Sequence, residues 1–238
     1  MRGADNLLLI AARQPVPGQV KTRLGAAIGM ETAAILYAAF VRDLAVRFTP
    51  KDQEPARRTY DLAWAYTPAE CDFPRLLAEI RGEPAPDHVR FVAQSGEDWG
   101  QRQTNLLRWG STEGYTRTVL IASDSPQLPP DLPATVFAAL HNHDVAIGRV
   151  HDGGYYLIGL RGFHDVLSEV PMSTESAAGA LAQRALALNL SLAELPETFD
   201  IDVENDLSLL AAALAPHGAD CPATWAALRK LGLVDSQV

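Results

Sequence analysis

Thr118-Val119-Leu120-Ile121-Ala122 runs directly into Ser123-Asp124-Ser125-Pro126. The first five residues are uncharged, rich in β-branched and aliphatic side chains, and bounded by polar ones. That pattern predicts a central strand of a parallel sheet, buried on both faces. A carboxylate at the end of a buried strand is costly unless it is paired, hydrogen-bonded or metal-bound. Asp124 is therefore the first candidate for chemistry, and a hard oxygen ligand of this kind suits Mg²⁺ or Mn²⁺. The competing reading is that Asp124 only caps the turn into the next helix.

Upstream of this strand the apolar spacing alternates between strand and helix. Residues 6–12 form a short apolar run that predicts a buried first strand. Residues 13–22 are a Pro/Gly loop. Residues 30–48 carry Ile35, Leu36, Ala39, Phe40 and Leu44 at helical spacing. Strands are predicted over 60–66 and 88–93, with a helix over 74–80 between them. A further helix starts near Asp98, where Gln101 completes a plausible capping box. The polar and charged stretch 50–58 is expected to be mobile.

Downstream, prolines introduce a helix over 132–141. Strands over 144–150 and 155–160 flank Gly153-Gly154. An alanine-rich helix is expected over 175–188, with Ser173-Thr174 as its cap. A last strand over 192–195 and helices over 207–214 and 223–231 complete the chain. The alternation predicts one α/β domain over residues 1–238: a mostly parallel sheet covered by helices on both faces. A length of 238 residues is enough to bury a core without disulfides or metals.

Composition narrows the partners. Apolar residues make up 47% and charged residues 21%, and the formal net charge is −9. An acidic surface repels nucleic-acid phosphates and anionic membrane, so neither is expected as a partner. Cys71 and Cys221 stand far apart, in no metal spacing, and read as free thiols of a reducing compartment. No stretch has the form of a signal peptide or the length of a membrane span. A cytoplasmic protein is expected, and assembly as a homodimer is left open.

In open α/β sheets ligands bind beyond the carboxyl ends of the strands, so the residues after each strand matter most. After the first come Arg13, Lys21 and Arg23, three cations close together in an acidic chain. Gly18 permits close backbone approach and the prolines stiffen the loop. Such a loop suits phosphates, although Lys and Gly lack the Walker A arrangement. A rigid surface loop with solvated charges is the plainer alternative. The His151-Asp152-Gly153-Gly154 turn reads either as a hairpin turn or as a turn that also lets a ligand lie against its backbone beside Asp152. In an extended segment Asp200 and Asp202 share one face, and two adjacent carboxylates call for a cation. The alternative is a solvated edge, with Asp202 or Asn205 capping the following helix. His141 and His143, two residues apart at a helix end, do not suit zinc.

Four segments now stand in order: residues 15–24 (Pro-Val-Pro-Gly-Gln-Val-Lys-Thr-Arg-Leu), 123–126 (Ser-Asp-Ser-Pro), 152–160 (Asp-Gly-Gly-Tyr-Tyr-Leu-Ile-Gly-Leu) and 200–207 (Asp-Ile-Asp-Val-Glu-Asn-Asp-Leu). Together they resemble the DUF2064 family of glycosyltransferase A-like proteins, over nearly the whole chain. The Lys-Thr-Arg-Leu and Asp-x-Asp segments are also similar to those of phospholactate guanylyltransferase, which shares the fold family. The resemblance implies a Rossmann-like three-layer α/β/α fold, the nucleotide-diphospho-sugar transferase (glycosyltransferase A) fold. It implies a metal-dependent transferase with a nucleotide or nucleotide-sugar donor and a small-molecule acceptor. Lys21, Asp124 and Asp152 are then expected in catalysis. Ala12, Arg13, Gly18, Lys21, Arg23 and Gln94 are expected at the nucleotide, and Asp124, Asp200 and Asp202 at Mg²⁺ or Mn²⁺. The chain departs from the family pattern at Arg13, where Lys is usual, and at Trp99, where Leu is usual. Its central site reads Ser-Asp-Ser rather than the Asp-x-Asp of many glycosyltransferases. Alternatives are a nucleotidyltransferase acting on a phosphorylated small acid, and a non-catalytic nucleotide-binding module.

Overall fold

A computed structural model describes residues 5–52, 54–172, 174–218 and 220–234. Its elements run β1 (Asn6–Arg13), α1 (Thr22–Ile28), α2 (Met30–Phe48), β2 (Asp61–Thr67), α3 (Phe73–Arg81), β3 (Arg90–Ala93), α4 (Trp99–Thr112) and β4 (Arg117–Ala122). Then follow α5 (Leu132–Asn142), β5 (Val145–Val150), β6 (Tyr155–Arg161), α6 (Ala177–Ala187), β7 (Leu192–Thr198), α7 (Glu204–Leu214) and α8 (Pro222–Lys230).

The strands form one sheet in the order β3-β2-β1-β4-β6-β5-β7. β1 pairs in parallel with both β2 and β4, β2 with β3, and β5 with β7. β6 is antiparallel to both its neighbours. The sheet is thus mostly parallel, as the alternation predicts. The Gly-Gly turn does join an antiparallel pair, and β6 lies between β4 and β5. Because the chain leaves β1 toward β2 and returns on its other side with β4, the strand order reverses there. A crevice opens at such a switch point, beyond the carboxyl ends of β1 and β4.

Alternation along β1 divides the core. Leu8, Ile10 and Ala12 pack with α2, α5, α7 and α8, while Leu7, Leu9 and Ala11 pack with α4 and α6. Both faces of the sheet are therefore covered, giving the three-layer α/β/α architecture. Helix α2 carries Leu36, Phe40, Val41, Leu44 and Phe48 into the larger cluster, all fully buried. The cap of α4 forms as the sequence implies: Asp98 Oδ1 accepts from Gln101 N at 2.8 Å, and Gln101 Oε1 accepts from Glu97 N at 2.8 Å.

Locally the structure adds to the sequence reading and in places departs from it. Helix α1 falls inside a stretch read partly as loop; it spans only two turns and has Gly25 within it, so its apolar spacing is too short to stand out. The Pro-rich and charged 50–58 stretch contains a 3₁₀ turn at Pro55–Arg57, and Arg58 Nε is 3.0 Å from Asp61 Oδ1 with both side chains nearly buried; Gln53 lies outside the described residues. Of the cap expected at Ser173-Thr174, Ser173 lies outside the described residues. Thr174 Oγ1 donates to Pro171 O, and Ser176 is the N-cap of α6. The helix after Asp202 is capped by neither Asp202 nor Asn205. Asp206 Oδ2 accepts from the N–H groups of Asp202 and Val203, each at 2.8 Å. Cys71 and Cys221 are both free. Among the described residues, no helix is long and apolar enough to cross a membrane.

Two glycines test this packing in opposite directions. A Cβ on Gly110 of α4 would lie 2.4 Å from Thr118 Oγ1 of β4 and 3.1 Å from Leu7 Cδ2 of β1. Gly110→Ala should cost about 1–3 kcal/mol through overpacking. Gly179 of α6 has nothing within 4 Å of a Cβ, so Gly179→Ala should stabilise by roughly 0.5–1 kcal/mol. Urea unfolding with unchanged m-values measures both; a neutral Gly110→Ala would contradict the close α4–β4 seat.

Candidate functional site

The crevice at the switch point is a cleft of about 740 Å³. Its floor is made by the ends of β1 and β4. Ala12, Arg13, Lys21, Arg23, Gln94, Asp124, Asp152, Asp200 and Asp202 all line it. Gly18 does not. It is exposed with φ +75°, a conformation that suits glycine in the turn of the loop.

The centre of the cleft is an ion-pair cluster. Lys21 Nζ lies 2.7 Å from Asp124 Oδ1 and 2.9 Å from Asp202 Oδ1, on a side chain only 5% exposed. Arg23 Nη2 holds the other oxygen of Asp202. Lys21 is the N-cap residue of α1 and adopts left-handed backbone angles, φ 47° and ψ 44°. A non-glycine residue pays roughly 1–2 kcal/mol for that conformation, and such departures cluster at functional sites. Burial pushes the Lys21 ammonium down, but the charges and hydrogen bonds of Asp124 and Asp202 outweigh it and hold its pKa above the usual lysine range. Burial likewise works to raise Asp202, and Lys21 with Arg23 overcomes it, so its pKa is lowered.

Hydrogen bonds between two distant segments bring the carboxylates together. Ile201 N donates to Asp124 O at 3.1 Å. Ser125 Oγ and Gln127 Nε2 both donate to Phe199 O, at 3.0 and 2.6 Å. These bonds stitch residues 199–201 to the turn after β4. The segment is not part of β7, which ends at Thr198, yet both Asp200 and Asp202 reach the cleft. Asp200 differs from its neighbour in having no hydrogen bond or ion pair among the described residues. Burial first, then the charges of Asp202, Asp152 and Asp124, raise its pKa to about 6, with Lys21 acting in the other direction.

Gln94 is anchored on the strand ends, donating from Nε2 to Ala65 O at 2.8 Å and to Ala12 O at 3.4 Å. The His151–Gly154 turn is a hairpin turn at the edge of the cleft. Asp152 Oδ1 accepts from Gly154 N at 2.9 Å, which is a turn bond, while Asp152 and Gly154 line the cleft. Gly153 serves packing. Its φ is +87°, and a Cβ there would lie 1.8 Å from Glu175 O.

Several cleft residues had no functional reading from sequence. Tyr37 sits on the buried face of α2, where spacing marks it only as core. Its hydroxyl accepts from Arg13 N at 2.9 Å and shares a 2.7 Å hydrogen bond with Ser123 Oγ. Burial and the Asp124 charge push its pKa up to about 12, so it stays neutral and fixes the strand end. Trp99, Gln103, Tyr155, Met172 and Glu175 also line the cleft. The one signal for them was Trp99, already noted as a departure from the family pattern.

The three carboxylates expected at a metal line one cleft, with Lys21 between two of them. Among the described residues no group of three His, Cys, Asp or Glu side chains is placed to hold a metal ion. The cation that relieves Asp124 and Asp202 is Lys21. The donor set still fits a hard divalent ion that arrives with a polyphosphate, because magnesium commonly takes one or two carboxylates and completes its shell with phosphate and water. Two carboxylates already converge on one positive charge, and Asp200 adds an unpaired third nearby.

The family profile described as "Uncharacterized protein conserved in bacteria (DUF2064)" matches residues 43–174, more than half of the chain. The chain belongs to the DUF2064 family. The matched span includes Asp124 and Asp152; Lys21 precedes it and Asp202 follows it. A crystal structure of a "putative nucleotide-diphospho-sugar transferase" from Desulfovibrio desulfuricans G20 is similar at 32% identity and TM-score 0.83, over 95% of each chain. A 4-diphosphocytidyl-2C-methyl-D-erythritol synthase from Anaerococcus prevotii DSM 20548 is similar in fold, at TM-score 0.55 and 10% identity, over 89% of this chain and 96% of that one. No curated protein matches. The fold is thus the nucleotide-diphospho-sugar transferase fold that the four sequence segments imply.

Asp200 gives a pH test. A carboxyl whose pKa rises on folding, from 3.8 to about 6, binds its proton more tightly in the folded state. Its penalty is therefore absent below about pH 4, grows through the window up to about pH 6, and is complete above it. In EDTA, Asp200→Asn should stabilise the protein by about 1–2 kcal/mol at neutral pH, after discount for screening at this partly exposed group, and by almost nothing near pH 4. Equal effects at both pH values would mean that Asp200 does not carry this strain.

Proposed function

We propose that this protein is a metal-dependent transferase that takes a nucleotide-sugar donor and passes its sugar to a small-molecule acceptor. The observation that carries the reading is the Lys21–Asp124–Asp202 cluster at the switch point, with Arg13 and Arg23 on the same connection after β1. A diphosphate brings its own negative charge to such a cluster. Lys21 can then exchange a carboxylate for a phosphate oxygen, and Arg13 and Arg23 flank it in sequence. The 32% identical relative, itself described as a "putative nucleotide-diphospho-sugar transferase", supports the same class.

In this reading the residues divide the work. Arg13, Lys21 and Arg23 offset the charge that builds on the leaving diphosphate, and preorganised cations do this without reorganisation at the moment of reaction. Gln94 and the strand end at Ala12 border the nucleotide. Asp152, with one oxygen fixed by Gly154 N, is placed to orient or deprotonate the acceptor hydroxyl. Asp124 and Asp202, with Asp200 beside them, would hold Mg²⁺ or Mn²⁺, which supplies Lewis-acid stabilisation of the phosphate oxygens. A second reading rests on the same three cations: Arg13 at the end of β1, Lys21 in the connection and Arg23 at the start of α1 also suit a triphosphate, as in nucleotidyl transfer.

The two readings release different products. With Mn²⁺, pooled sugar nucleotides and a metabolite extract as acceptor source, a nucleoside diphosphate should be released. Pyrophosphate released from a triphosphate, dependent on a phosphorylated small acid, would favour nucleotidyl transfer instead. Before turnover, thermal-shift scans should show stabilisation by nucleotides that EDTA removes. Lys21→Ala should weaken a nucleoside diphosphate about ten- to a hundred-fold while leaving the parent nucleoside nearly unaffected. Equal losses for both would separate Lys21 from the phosphates.

A further inference from the structure

The cleft's charges are segregated. Its cations, Arg13, Lys21 and Arg23, all come from the end of β1 and the connection behind it. The wall built by α4, the start of β6 and the segment leading into α6 presents Trp99, Gln103, Tyr155, Met172 and Glu175, with no cation among its described residues. Trp99, Tyr155 and Met172 pack with the core cluster on the α4–α6 face of the sheet, whereas Val20 and Leu24, which flank Lys21, pack with the opposite cluster. The phosphate-suited side and this wall are therefore built on different layers of the fold.

The wall is bonded internally and of mixed polarity. Gln103 is 1% exposed. Its Nε2 donates to the Tyr155 hydroxyl at 2.9 Å, and that hydroxyl donates to Gln103 Oε1 at 3.1 Å. Both also approach Met172 Sδ, at 3.7 Å from Gln103 Nε2 and 3.4 Å from the Tyr155 hydroxyl. Burial raises the Tyr155 pKa, with Gln103 acting weakly against it, so this polar pair is uncharged. Trp99 and Met172 add apolar surface. The ionisable groups that border the wall are carboxylates, Glu175 and, at the β5–β6 turn, Asp152. A phosphate or carboxylate placed here would meet like charge with no cation to offset it, which is unfavourable in a partly desolvated site. A pyranose ring has the complementary chemistry, with a C–H face for the aromatic and thioether surface and hydroxyls for the carboxylate acceptors.

We infer that this wall is the subsite for the donor's sugar, that it takes a neutral hexose rather than an acidic or phosphorylated one, and that Trp99 and Glu175 set this preference. The inference rests on the nucleotide-sugar reading given above. It narrows the substrate to uncharged sugars.

Calorimetric titration with Mn²⁺ separates the possibilities, using three ligands on each common nucleoside: the diphosphate, its neutral hexose conjugate and its hexuronic acid conjugate. The hexose conjugate should bind about ten-fold or more tighter than both the diphosphate and the uronate. Trp99→Ala should remove the hexose increment and leave diphosphate affinity within about two-fold. Glu175→Gln, at an exposed position that leaves folding unaffected, should reduce the discrimination against the uronate. Equal binding of hexose and uronate by the unaltered protein would overturn the inference. So would a Trp99→Ala loss shared equally by the diphosphate, which would put the nucleoside on this wall. Absence of diphosphate binding for every nucleoside would instead remove the nucleotide reading, and this inference with it.

Discussion

One ammonium holds the site together. Lys21 Nζ is buried between carboxylates from the turn after β4 and from the segment after β7. Remove that charge and Asp124, Asp202 and the unpaired Asp200 face one another at the mouth of a low-dielectric floor. Breaking a buried pair by deleting one partner is among the more destabilising changes available to a protein. The left-handed backbone of Lys21 is tolerated because the surrounding bonds over-determine it. The same charge balance explains how a chain of net charge −9 keeps a cluster of cations where an anion can reach them.

The sheet decides where this cluster stands. β1 is flanked in parallel by β2 and β4, so its carboxyl end opens onto a reversal of strand order. The loop after β1 and the turn after β4 then emerge side by side. Insertion of β6 between β4 and β5 brings the Asp152 turn to the same end of the sheet, because an antiparallel strand begins where its parallel neighbours finish. Hydrogen bonds from Ser125 and Gln127 to Phe199 O add the final acidic segment. Separate connections meet in one cleft without any loop having to fold over it.

Much of this was legible in the sequence where local physics decides the outcome. The apolar spacing of residues 30–48 gives the bounds of α2, and the Thr118–Ala122 run marks the central strand. The acidic and basic residues that follow the strands do gather in the cleft, since strand ends in an open sheet have nowhere else to converge. What the sequence withheld depends on distant partners. No spacing rule reveals that Lys21 bridges Asp124 and Asp202, because its two carboxylates come from elsewhere in the chain. Tyr37 reads as a core residue of a helix, and only the fold shows its hydroxyl between Arg13 N and Ser123. Gly153 reads either as a turn glycine or as one that lets a ligand approach, and only the fold shows Glu175 O against it. Trp99 and Gln103 stand one turn apart on α4, and they meet Tyr155 of β6 and Met172 only through tertiary packing.

We propose that Asp124, Asp202 and Lys21 form a phosphate site that recruits a divalent ion together with its ligand. Anomalous diffraction from crystals holding Mn²⁺ and a nucleoside diphosphate addresses it most directly. The account predicts a manganese peak bonded to Asp124 or Asp202 and to a phosphate oxygen, with Lys21 Nζ moved from at least one carboxylate onto the phosphates. Diphosphate bound elsewhere, or bound in this cleft with Lys21 still on both carboxylates and no manganese between them, would contradict it.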